Sequence, residues 1–260
     1  MAPGRVARGP FWTKKSNNHH KDSIALKYLA SIPARAGSKG VPNKNIRIIN
    51  GHPLIAWSIR QALEVPSISN VVVSTDSPDI ATIARDYGAE TPFIRPETLA
   101  RDETPTEPVM KHALEWYATH GINHDAVMLL QPTSPLRLSG TLKRAVQHFE
   151  AEKASSLLGV CETHAFFWRK TTPISASYDF NQRPRRQDID ISQRWYKETG
   201  SIYITLLDAF KNNENRLAGE ISLFEMTETE SHEIDTEMDF TLIEYLMRSL
   251  SIALPVRPQQ

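Results

Sequence analysis

At 260 residues the chain is the length of one large domain, or of a domain with an appendage, and its 40% apolar residues are enough to build a core. Lys plus Arg and Asp plus Glu both number 30, so no global field points to nucleic acid or a membrane surface, neither is expected as a partner, and any basic site is local. The single cysteine, Cys161, excludes an intramolecular disulfide and suits a reducing cytoplasm, the location expected here.

Residues 1–27 are basic and rich in Pro, Gly, Asn and His, without the apolar centre of a signal peptide. They read as a disordered extension outside the fold, and the adjacent His19 and His20 as solvated side chains rather than metal ligands. No apolar run approaches the roughly 20 residues that span a bilayer.

The first core strand is predicted at Tyr28-Leu29-Ala30-Ser31-Ile32. Residues 32–45 follow it and read Ile-Pro-Ala-Arg-Ala-Gly-Ser-Lys-Gly-Val-Pro-Asn-Lys-Asn. In an open parallel sheet the carboxyl end of a strand is where ligands bind. Glycines free backbone N–H groups to approach an anion there, and Arg35, Lys39 and Lys44 can neutralise its charge. The spacing fits neither the dinucleotide fingerprint nor the P-loop. Position therefore makes this loop a triphosphate-binding candidate.

Apolar residues at helical spacing predict a helix over 54–63, opened by Pro53. Three consecutive valines, Val71 to Val73, predict a strand buried on both faces and ending near Asp76. Ser77-Pro78 starts a helix over 79–87 that Gly88 ends. Residues 91–96 read as a short extended piece, and 97–108 as a polar loop carrying Asp102, Thr104 and Thr106. A helix over 109–120 stops at Gly121. Residues 126–130 form another buried strand, which Pro132 and Pro135 end sharply. A helix through Phe149 and a strand over 156–161 follow, with Cys161 read as a buried structural thiol.

The strand–helix rhythm predicts an α/β fold, a mostly parallel sheet covered by helices on both faces. Right-handed crossovers would gather the loops holding Lys44, Asp76 and Gln131 at one edge. Residues 162–197 break the rhythm and are too long for an ordinary connection, so they read as a functional or partner-packing insertion. Strand character returns over 199–204 and 221–226, and a last helix is predicted over 240–249.

Chemistry can be placed on several of these segments. Glu233 and Asp235 alternate; on extended backbone both point one way, a hard oxygen site suited to Mg²⁺ once phosphate oxygens complete it. Taken alone the acidic run is a solvated face ahead of a helix, capped by Thr236 or Asp239; beside a phosphate loop the metal reading gains. Asp76 most simply caps the following helix. Gln131 either meets the edge of a base with its donor and acceptor or is an unliganded loop amide. Arg137 either pairs with an anion or stays in solvent. Arg183, Arg185 and Arg186 suit a carboxylate or phosphate, or else form a solvated or oligomer-contact loop.

Taken together, the loop 32–45, Val73-Ser74-Thr75-Asp76, Arg95-Pro96-Glu97 with Leu99, Ala100 and Asp102, the run from Leu130 to Arg137, and Ile234-Asp235-Thr236-Glu237-Met238-Asp239 resemble the acylneuraminate cytidylyltransferase family, the CMP-sialic acid synthetases. The segments occur in that family's order and span residues 28 to about 249. The resemblance implies a Rossmann-like nucleotidyltransferase fold with Mg²⁺ as cofactor. It implies transfer of CMP from CTP to the anomeric hydroxyl of a nonulosonic acid, releasing pyrophosphate. Arg35, Lys44 and Asp235 would be catalytic, and Gly37, Ser38, Lys39, Asn45, Arg95 and Thr106 would join Arg35 and Lys44 around the nucleotide. Gln131 and Tyr203 would contact the sugar, and Asp235 with Glu233 would hold the metal. Residues 162–197 would be a dimerisation subdomain, making the protein a homodimer in which Arg185 or Arg186 reaches the neighbour's sugar carboxylate. The family often has Asp where this chain has Glu233. The alternatives are a related sugar nucleotidyltransferase with another acceptor or nucleotide, and a nucleotide-binding homologue without catalysis.

Overall fold

The computed structural model describes residues 26–37 and 40–256. The expectations for residues 1–25 and the loop residues Ser38 and Lys39 lie outside them.

The strands are β1 (Tyr28–Pro33), β2 (Ile48–Ile49), β3 (His52–Pro53), β4 (Ile68–Ser74), β5 (Ala126–Leu130), β6 (Ser156–Thr163), β7 (Trp168–Arg169), β8 (Ser175–Ala176), β9 (Trp195–Leu206) and β10 (Ile221–Glu225). The helices are α1 (Leu54–Leu63), α2 (Pro78–Asp86), α3 (Thr106–Thr119), α4 (Thr141–Glu152), α5 (Leu207–Asn213) and α6 (Glu237–Ser249). Six strands form the main sheet in the order β10-β6-β9-β5-β1-β4. Pairing is parallel except for β9, which runs antiparallel to both β5 and β6.

The period-2 alternation of the strands divides the core. Tyr28, Ala30 and Ile32 of β1, with Val71 and Val73 of β4 and Met128 and Leu130 of β5, pack against α1, α2 and α4. Leu29, Val72, Val127 and Leu129 face the other way, onto Met110, Ala113 and Tyr117 of α3 and Phe210 of α5. A satellite cluster seats α6 on α1, through Phe240, Ile243 and Met247 against Leu54 and Trp57. Burial on both faces explains the near-continuous apolar runs of the central strands β1 and β5 and of the Val71–Val73 stretch of the edge strand β4.

Several boundaries differ from the sequence expectation. α3 begins at Thr106 rather than Val109, because Pro105 and Pro108 fall at the cap and within the first turn, where a missing N–H costs nothing. α6 begins at Glu237 behind Thr236, whose hydroxyl and the Asp239 carboxylate form a reciprocal capping box. Residues 91–96 form no strand; only Glu90 bridges Val72. The short helix α5 was not expected. Among the described residues no helix is long and apolar enough to cross a membrane.

Candidate active site

The loops after β1, β4 and β5 emerge at the carboxyl edge of the sheet and meet the segment entering α6. They enclose a cleft of about 350 Å³ whose lining includes Arg35, Lys44, Asn45, Arg95, Thr106, Gln131 and Asp235. A larger hollow of about 620 Å³ lies within residues 163–195 and lacks this convergence of cations and carboxylates.

Each cation is held by a specific partner. The Arg35 guanidinium donates to the Asp102 carboxylate across the cleft. The Asn45 side-chain amide donates to the Arg35 carbonyl at 2.9 Å, so Asn45 sets the backbone from which Arg35 projects. Lys44 donates to the Ile234 carbonyl at 2.6 Å and stands 3.7 Å from the Asp235 carboxylate. Burial lowers its pKa from the ordinary lysine value, an effect Asp235 opposes.

Arg95 is 5% exposed and 3.7 Å from Asp76. Its backbone N–H is tied to the Thr75 carbonyl at the end of β4, at 2.8 Å. Its Nε and Nη2 have no hydrogen-bond partner among the described residues, a costly state for a buried guanidinium that a bound acceptor would relieve. Asp76 does not cap α2; Ser77 does, its hydroxyl accepting from the Ile80 N–H at 3.3 Å. Asp76 instead accepts the Ala36 N–H at 3.0 Å, fastening the β1 loop to β4.

The acidic segment is interlocked with this loop. Ile234 donates to the Thr133 carbonyl at 2.9 Å, and a Cβ on Gly40 would lie 2.2 Å from the Asp235 carbonyl oxygen. Ile234 is fully buried, and the Asp235 side chain is 73% exposed. The half-buried Glu233 is pushed up to about 7, first by burial and then by the Asp235 charge, with Lys197 and Lys44 pulling the other way. Its carboxylate packs against Gly200, whose backbone is left-handed (φ +62°) and where an added Cβ would lie 1.6 Å from Glu233 Oε1. Gly200 lies in a bulge of β9, where the single residue Gly159 of β6 opposes residues 199–202.

Other expected site residues lie elsewhere. Tyr203 does not reach the cleft: it is 3% exposed, its ring packs among Leu129, Leu158 and Phe210, and its hydroxyl donates to Glu198. Strand β9 has sheet neighbours on both sides, so an aromatic there serves the core. Arg137 is neither in solvent nor paired with an anion; it is buried beneath the β5 loop, and burial lowers its pKa to about 9. Arg185 pairs with Asp188 at 2.6 Å and Arg186 is exposed, both in the insertion and outside the cleft of their own chain. Gly37 is in the β1 loop but does not line the cleft. Arg101, which also lines it, was missed, because a lone arginine in a polar loop carries no spacing signal.

A family model for cytidylyltransferases matches residues 29–243. The chain is 35% identical over 226 residues to the CMP-N,N'-diacetyllegionaminic acid synthase of Legionella pneumophila, covering 85% of this chain and 97% of that one. It is 32% identical to the N-acylneuraminate cytidylyltransferase of Escherichia coli, covering 84% of this chain and 52% of that one. The pseudaminic acid cytidylyltransferase of Campylobacter jejuni is 29% identical, with 86% and 97% covered. Among solved structures, a CMP:2-keto-3-deoxy-manno-octonic acid synthetase complexed with CTP superposes with a TM-score of 0.64 at 20% identity, over 86% of this chain and 99% of that one.

Proposed function

The chain belongs to the cytidylyltransferase family, and we propose that it transfers CMP from CTP to the anomeric hydroxyl of a nonulosonic acid. The observation that carries this reading is one cleft lined by Arg35, Lys44, Arg95 and Asp235, in which Nε and Nη2 of Arg95 have no hydrogen-bond partner among the described residues. The named sugars of the relatives, legionaminic, neuraminic and pseudaminic acids, favour the nonulosonic class over an octulosonic one.

In this reading the hydroxyl oxygen attacks the α-phosphorus, its proton passing to water, and the bond to the pyrophosphate oxygen breaks, releasing pyrophosphate. Charge develops on the leaving oxygen, so positioning and fixed positive charge supply most of the acceleration. Arg35 and Lys44 hold the triphosphate; Gly37, Ser38 and Lys39 share that role by their place in the same loop. Arg95 offers its unused N–H groups to the nucleotide. Thr106, at the start of α3, and the Gln131 amide border the nucleotide and sugar respectively.

The donor set fits a hard divalent cation. Asp235 is exposed to the cleft, and the half-buried Glu233 stands close enough for the Asp235 charge to raise its pKa. Mg²⁺ is commonly held by one or two carboxylates, with phosphate oxygens and water completing its shell. Asp235 with Glu233 would hold that ion, and it would supply further charge neutralisation at the phosphates.

The proposal extends to a homodimer built on residues 162–197, with Arg185 or Arg186 reaching the neighbouring sugar site. The exposed Phe180, Ile191 and Trp195 of that segment support it, as does the distance of both arginines from their own cleft. The deciding experiment is pyrophosphate release from CTP and Mg²⁺ with a panel of nonulosonic acids. Turnover should appear with at least one acid and be lost in Asp235→Ala. Release with none of them would turn the reading toward a nucleotide-binding protein, and full activity in Asp235→Ala would remove the metal assignment.

A further inference from the structure

The turn after β5 contains Pro132 and Pro135, which bring carbonyls to the loop but no N–H groups. Buried carbonyls there must be met by donors from other elements. They are met from underneath. Arg137, 2% exposed, donates Nη2 to the Gln131 carbonyl at 2.9 Å and to the Ser201 carbonyl of β9 at 2.7 Å. Its Nη1 donates to Ser58 Oγ at 3.0 Å and Gln61 Oε1 at 3.1 Å. Gln61, on α1, returns its Nε2 to the carbonyls of Pro135 and Arg137, both at 3.0 Å.

Among the described residues the guanidinium contacts no carboxylate, and its Nε has no hydrogen-bond partner. Glu230, the acid that most offsets its burial, is occupied with the Leu138 and Thr227 N–H groups, at 3.0 and 3.2 Å, and the hydroxyls of Thr141 and Thr227. A buried cation among neutral acceptors is expensive, and an apolar side chain would fill the space more cheaply. What an apolar side chain cannot do is grip two carbonyls on two elements with one rigid fork.

We infer that Arg137 is a positioning residue for the acceptor half of the reaction. It ties the base of the Gln131 loop to β9 at Ser201, next to Gly200, against which Glu233 packs. That fixes the Gln131 amide relative to the segment from Glu233 to Asp235, which is itself joined to the loop through Ile234 and Thr133. Arg35 and Arg95 come from the β1 and β4 sides of the cleft and do not depend on this grip. The inference rests on the reading of Gln131 as the acceptor-contacting amide.

The test is steady-state kinetics of Arg137→Lys, Gln131→Ala and the double variant, with melting temperatures for each. One ammonium can replace the two bonds of Nη2 or the two of Nη1, but not all four at once, so kcat/KM for the sugar should fall about tenfold or more while KM for CTP stays within about twofold. In the Gln131→Ala background Arg137→Lys should cost little further, the non-additivity expected of residues acting through one another. Equal losses for both substrates, or additive losses in the double variant, would make Arg137 merely a strut of the fold. Should Arg137→Lys not fold, Ser58→Ala loosens the same fork more gently, and the same additivity with Gln131→Ala would overturn the inference. Wild-type turnover without the coupling overturns this inference alone; no wild-type turnover with any acid overturns the functional reading and this inference with it.

Discussion

Lys44 does two jobs at the residue scale. It braces the Ile234 carbonyl from below and presents its charge beside Asp235, in surroundings dry enough to lower its pKa. Lys44→Ala should lower kcat/KM for CTP about 10²–10³-fold, the usual consequence of deleting one donor aimed at developing charge. Lys44→Met keeps most of the stem volume and separates the roles: equal activity loss with an unchanged melting temperature assigns the effect to charge. Wild-type rates in either variant would reduce Lys44 to a strut. Glu233 gives a second prediction, in the chelator-treated protein. Its folded value of about 7 lies above the ordinary 4.5. Between those values the unfolded chain releases the proton first and binds fewer protons than the native state, so stability falls as pH rises through that window. Glu233→Gln removes the titration. The wild-type melting temperature should therefore decline relative to Glu233→Gln between about pH 5 and pH 7.5, and parallel curves would show that burial does not burden this carboxylate.

The bulge of β9 governs a site residue at the element scale. Gly200 is left-handed and its missing Cβ is the space that the Glu233 carboxylate occupies. Gly200→Ala should destabilise by about 1–2 kcal/mol from the backbone alone and displace Glu233 toward water. The variant should then lose the pH slope of Glu233 along with activity; if the slope persists, Glu233 has not moved. This coupling was not legible in the sequence, because a glycine between Thr199 and Ser201 reads as an ordinary strand residue and the bulge exists only in register with Gly159. What could be read was period and composition: valine runs for β4, helical spacing for α1, and the cap and stop signals around α2. Asp76 and Ser77 show the limit. Both are good caps, and only the three-dimensional demand of the Ala36 N–H frees Asp76 for the β1 loop. α5 escaped notice because Leu206 and Leu207 continue the apolar character of β9 across the boundary. Tyr203 lies in the core because both faces of β9 are covered there, Ile202 and Ile204 on one side and Tyr203 on the other, which the sequence of one strand does not reveal.

Parallel topology made much of the site legible at the scale of the whole molecule. β1, β4 and β5 run together, so the loops bearing Lys44, Asp76 and Gln131 fall on one edge as a matter of geometry. Asp235, remote in sequence, joins them through backbone pairing of Ile234 with Thr133. The insertion obeys no such rule, and it is shorter than the expected 162–197: residues 162–163 and 195–197 still pair as the ends of β6 and β9, and only 164–194 leave the sheet. There Trp168 of the short β7–β8 ladder and Ile174, just before β8, are exposed to solvent. A monomer gains little by that exposure, whereas a two-fold dimer would cover it. The proposed trans role of the arginines makes a quantitative prediction that simple dimerisation does not. Asp235→Ala subunits keep the insertion but lose their own cleft; Arg185→Ala/Arg186→Ala subunits keep the cleft but lose the donated arginines. Each homodimer should be nearly inactive. Mixed and re-equilibrated in equal amounts, they form about half heterodimers, each with one intact composite site of two, so activity should recover to about one quarter of wild type. Recovery absent despite heterodimers seen by tagged co-purification would place the arginines in cis or outside the reaction. A fully active monomer by light scattering would remove the dimer proposal altogether.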